Sequence, residues 1–100
     1  MVAGALRSRN SEELLSSFRA NEFDVVVTCT PPTPRGLPAS EMSKVARDSG
    51  CADVREAQTV DEACQVALNL AGEDDAILVT GSLYIVSAAR QYLQSRSNRR

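Results

Sequence analysis

The stretch Phe23-Asp24-Val25-Val26-Val27-Thr28, continuing through Cys29-Thr30-Pro31-Pro32-Thr33-Pro34-Arg35-Gly36-Leu37-Pro38, decides how the chain is read. Three consecutive valines form a continuous β-branched run that is too short for a buried helix, so 23–28 reads as a strand. All four prolines of the sequence fall in the segment 29–38. Proline fixes φ and keeps the residue before it out of the helical region, which makes this segment a rigid, extended loop. Met42, Val45 and Ala46 then predict a helix over about 39–49, with Gly50 as its left-handed cap. The segment is one β-α unit.

The same order recurs on both sides of it. Upstream, residues 1–6 are a short apolar run consistent with a buried strand. Asn10, with Glu13 three positions on, predicts a helix start whose apolar face is Leu14, Leu15 and Phe18. Downstream, 52–56 carries a weaker strand pattern. Thr59-Val60-Asp61-Glu62 is a capping box for a third helix, with Val60, Ala63, Cys64, Ala67 and Ala71 on one face and Gly72 as its stop. Ala76-Ile77-Leu78-Val79-Thr80 is a second strong strand, and it breaks at Gly81-Ser82 into a helix with Leu83, Val86, Ala89 and Leu93 inward. Continuous apolar strands alternating with helices predict an α/β fold, a Rossmann-like three-layer sandwich with a mostly parallel sheet.

A chain of 100 residues, 43% hydrophobic and 24% charged, can bury one modest core. Eleven Lys and Arg against thirteen Asp and Glu leave a net charge of −2. That balance offers no footprint for nucleic acid. The exception is Arg96-Ser97-Asn98-Arg99-Arg100, which reads as a solvated, disordered basic tail (96–100) beyond a single domain of residues 1–95. With no histidine, His-based triads, HExxH zinc sites and imidazole bases are excluded. Cys29, Cys51 and Cys64 are an odd number without a CxxC pair, which reads as reduced thiols of a cytoplasmic protein. No apolar run approaches the roughly 20 residues of a membrane span. Neither GxxxxGK[ST] nor GxGxxG occurs, and no metal site is predicted.

Ligands of open parallel sheets gather outside the carboxyl ends of the strands, and two such ends stand out. The proline loop presents Arg35 at its tip, a fork that matches carboxylates bidentately. Spacing alone also fits, and favours, a surface arginine in a well-ordered turn. At the other end, Gly81 permits a tight turn, and the N–H groups from Ser82 onward can meet an anion at a helix N-terminus. Ser82 as a simple N-cap is the leading alternative there. Asp74-Asp75 lies at the amino end of its strand and reads as a solvated turn. Cys29 has no neighbouring histidine or lysine to activate it and reads as packing. Lys44, the only lysine, sits within a helix and reads as exposed.

Ile77-Leu78-Val79-Thr80-Gly81-Ser82-Leu83-Tyr84 resembles the last strand and helix of the folylpolyglutamate synthase/dihydrofolate synthase family of Mur ligases. Val25–Thr28 leading to Pro34-Arg35 resembles that family's strand and proline-arginine loop, and Met1-Val2-Ala3-Gly4-Ala5-Leu6 its preceding strand. The resemblance implies the C-terminal domain of an ATP-dependent ligase. Such a ligase activates a folate or dihydropteroate carboxyl as an acyl phosphate and joins it to L-glutamate. It implies substrate contacts for Ser82, Arg35 and Gly81, no catalytic residue of this chain's own, and ATP with Mg2+ held mainly by a separate N-terminal ATPase domain. The family's Asp-Lys-Asp segment is replaced by Ser8-Arg9-Asn10. The expectation is a domain incomplete at its N-terminus and inactive alone, with an exposed sheet edge open to self-association. The alternative is a non-catalytic binding or regulatory domain of flavodoxin-like topology.

Overall fold

Four short strands, Val2–Ala3 (β1), Val26–Thr28 (β2), Val54–Glu56 (β3) and Val79–Thr80 (β4), form one sheet in the order β3-β2-β1-β4. Every pairing is parallel. The computed structural model describes residues 1–8, 10–72, 75–81 and 83–97, the side chains of 83, 84, 96 and 97 excepted. Helices Ser11–Ser17 (α1), Ala39–Asp48 (α2), Val60–Leu70 (α3) and Leu83–Ser97 (α4) alternate with the strands, so the predicted β-α order and the α/β sandwich are both present.

The strand order explains the layers. From β1 the chain steps outward to β2 and β3, then crosses back past β1 to β4. Right-handed crossovers place a helix on the opposite face when the direction of stepping reverses. Accordingly, Leu15 of α1 and Met42 and Ala46 of α2 pack with Ala3 and Val26. Ala63, Cys64 and Ala67 of α3 and Ile85 and Ala89 of α4 pack with Val2 and Val27 on the other face. Alternate strand residues serve alternate cores, as the period of two requires.

The helix starts follow the sequence signals. The Asn10 side chain accepts from the Glu13 N–H at 3.0 Å, and Thr59 Oγ1 accepts from the Glu62 N–H at 3.1 Å. Gly50 closes α2 at φ 93°.

Two expectations are corrected. The run 1–6 is a strand only over Val2–Ala3, because after Gly4, whose N–H still donates to the Thr80 carbonyl at 3.3 Å, the chain turns to pair with residues 36–37. On α4, Val86 and Leu93 are exposed, at 45% and 39%, and the inward stripe is Ile85, Ala88, Ala89 and Tyr92. Both sets have helical spacing. The alanines give α4 the flat side on which α3 can lie close, whereas the bulkier set does not. Leu83's side chain lies outside the described structure. Helix α4 includes Arg96 and Ser97, and 98–100 lie outside the described residues.

Candidate functional site

The carboxyl rim is built from the segments that follow β1, β2 and β4. At the end of β2, Thr28 is fully buried, and its hydroxyl lies 2.6 Å from that of Ser43 and donates to the Ala39 carbonyl at 3.2 Å. Thr30 Oγ1 accepts from the Ala39 N–H at 2.9 Å, fixing the first residues of the proline loop to the start of α2. Inside the loop the Gly36 N–H donates to the Thr33 carbonyl at 2.9 Å, closing a turn with Pro34 and Arg35 at its centre. A Cβ on Gly36 would stand 2.8 Å from the Pro31 carbonyl oxygen, so only glycine fits this turn.

The loop is also tied to the segment after β1. Leu37 N–H donates to the Ala5 carbonyl at 2.8 Å and Arg7 N–H to the Arg35 carbonyl at 2.9 Å, with Leu6 and Gly36 as an antiparallel bridge between them. Arg35 is thus held by its backbone while its side chain projects into solvent. Arg7 is exposed as well, 3.8 Å from Glu41 of α2.

At the middle of the rim, β1 and β4 are neighbours although α1 to α3 separate them in the chain, which is the point where the strand order reverses. Gly81 follows β4 at φ 134°, and a Cβ there would overlap the carbonyl oxygen of Gly4. A Cβ on Gly4 would in turn stand 2.6 Å from the Ile85 side chain and 2.9 Å from the Cys29 carbonyl. Two glycines therefore let two chain segments touch where crevices form in doubly wound sheets.

A separate cleft of about 160 Å³, lined in part by Phe23, Val25, Leu70 and Ile77, opens at the amino ends of the strands. Concavity and polar chemistry lie on opposite edges. The carboxyl rim is the candidate site, because helix N-termini and the strand-end loops all face that side.

The family model for the Mur ligase, glutamate ligase domain, matches residues 1–83. The chain belongs to this Mur ligase family. Among solved structures, Mycobacterium tuberculosis folylpolyglutamate synthase complexed with ADP superposes with a TM-score of 0.79 at 28% identity. The match covers 90% of this chain and 22% of that one. Curated protein sequences give no match.

Within this Mur ligase domain the predicted residues separate. Arg35 and Gly81 stand on the same rim, connected through the segment from Gly4, which touches Gly81, to Arg7, which pairs with Arg35. Ser82, Arg9 and Asp74 lie outside the described residues. Asp75 accepts from the Gly72 N–H at 2.7 Å, a turn contact at the opposite edge. Cys29 is fully buried, and burial together with Cys64 pushes its thiol from 9.0 up to about 12, so it stays protonated and inert. Lys44 is exposed.

Sequence reading missed Gly4 and Arg7. A lone glycine in an apolar run was a usable signal for close approach at position 4. Nothing in the sequence signalled that 5–7 would pair with 35–37.

Proposed function

We propose that the chain is the substrate-side domain of an ATP-dependent ligase that adds L-glutamate to a folate or dihydropteroate carboxyl. The observation that carries the reading is the pinned Arg35 on the rim where Gly4 and Gly81 meet. Membership of the Mur ligase family and the likeness to a folylpolyglutamate synthase supply the reaction class. Activation makes a carboxyl into an acyl phosphate, and the α-amine of glutamate then forms the amide as phosphate leaves. For that attack the amine must be unencumbered, so the amino acid has to be held by its carboxylate. Arg35 supplies a bidentate, permanently charged fork for that purpose. Gly81 gives the backbone room at the α4 entrance, and Ser82 is assigned there on its motif.

ATP and Mg2+ belong, in this reading, to another domain of the parent enzyme. Among the described residues no group of three His, Cys, Asp or Glu is placed to hold a metal ion, and the sequence has no phosphate loop. No step is routed through either on this chain, and the 100 residues alone are expected not to turn over. Among the described residues no helix is long and apolar enough to cross a membrane, which suits a cytoplasmic enzyme.

The test is kinetic. In the ligase carrying this domain, Arg35→Ala and Ser82→Ala should raise the glutamate KM at least about tenfold, the scale of one lost charge-assisted pair, with the ATP KM little changed. Unchanged glutamate kinetics in both variants would remove the site assignment.

A further inference from the structure

Two apolar surfaces of the chain carry opposite charge. The first lies on α4. Its packed stripe is Ile85, Ala88, Ala89 and Tyr92, yet Val86 and Leu93 stand exposed on another side, with exposed Arg90 between them at helical spacing. An outer helix ordinarily turns charged and polar residues away from the core. Helix α2 follows that rule, with Glu41, Lys44, Arg47 and Asp48 exposed. Helix α4 does not, and from residue 76 to residue 100 the sequence has four arginines and no acidic residue.

The second surface is the cleft at the amino ends of the strands. Phe23, Val25, Leu70 and Ile77 give it apolar walls, and its charged side chains are Asp24 and Asp75. Among the described residues no lysine, arginine or member of α4 lines it. Asp75 is engaged by the Gly72 N–H, and the Met1 amine donates to the Val25 carbonyl at 2.9 Å. Asp24 is exposed and, like Arg90, has no ion pair among the described residues. The volume of about 160 Å³ is that of a single benzene-sized group, so one leucine side chain fills it.

We infer that these surfaces meet between copies of the chain: Leu93 of one copy seats in the amino-edge cleft of the next, and Arg90, three residues before it, pairs with Asp24 there. The contact is independent of the ligase reading, because the cleft lies on the edge opposite the carboxyl rim. An anionic bilayer fits α4 less well, since the chain as a whole carries −2. Packing α4 on α4 would set Arg90 against itself. Knob and cleft are different surfaces, so each added copy leaves one of each free and copies add head to tail. One apolar knob and one ion pair make a small, weak contact that salt weakens further.

The experiment is sedimentation equilibrium of the 100-residue chain from micromolar to millimolar concentration. The average mass should climb past twice 10.8 kDa without a plateau, and climb less in high salt. Leu93→Ser, at a position already exposed, should lower the association constant about tenfold. Arg90→Asp and Asp24→Arg should each do the same, by turning the attraction into a repulsion. An equimolar mixture of those two variants should restore the parent's association, because every contact in an alternating chain then joins opposite charges. A constant mass, a plateau at the dimer, or a mixture no stronger than its components overturns the contact. So do variants that associate as the parent does, a result that would place any self-association elsewhere, as at an open sheet edge.

Discussion

Gly81→Ala would force a side chain into a backbone conformation that L-residues rarely adopt and into the Gly4 carbonyl. The expected cost is at least about 2 kcal/mol, seen as a lower urea midpoint with an unchanged slope. The cysteines give a second prediction at this scale. Burial raises all three thiols, Cys29 from 9.0 to about 12. Between those values the unfolded chain has lost the Cys29 proton and the folded chain has kept it. Stability is therefore unaffected by this group below about pH 9 and falls as pH rises toward 12. Urea midpoints measured from pH 8 to 11 should decline less steeply in Cys29→Ala than in the parent, and parallel slopes would contradict this assignment. Arg35 was legible because four prolines announce a rigid loop with a charge at its tip. The tie that holds Arg35 was not, since the Arg7 N–H that bonds its carbonyl lies 28 positions away.

At the level of elements, β2 and α2 are joined through a buried pair of hydroxyls, Thr28 and Ser43, both with no exposed surface. Thr28→Val removes one partner and leaves the other in the core, an expected loss of about 1–3 kcal/mol. Adding Ser43→Ala should recover a measurable part of it in a double-mutant cycle. Simple additivity would show that the two do not act together. Helix starts were readable because capping is local, so Asn10 and Thr59 carry their partners within three residues. The inward face of α4 was not, because residues 83–86 are apolar all round its first turn and leave the phase open. What selected the phase was the fit of Ala88 and Ala89 against α3, a tertiary effect absent from any single-helix pattern.

For the whole molecule, alternation of apolar strands and capped helices was enough to specify the sandwich, since a parallel sheet must be covered on both faces. The order β3-β2-β1-β4 was not readable, because nothing local says on which side of β1 the last strand arrives. Self-association is expected through an open strand edge, and the two edges differ. β3 presents exposed Arg55 and Glu56, charges that discourage pairing, while β4 carries none. Sedimentation at rising concentration should show an average mass climbing above 10.8 kDa, and a constant mass up to millimolar concentration would dismiss the β4 edge as a contact.

The ladder between residues 5–7 and 35–37 has one more consequence. Two loops that leave different strands move as a single plate, with proline stiffness on one side and hydrogen bonds on the other. Such a plate has no hinge of its own. In the proposed ligase, bringing this plate to a reacting carboxyl would take a movement of the domain as a body, not the closing of a loop.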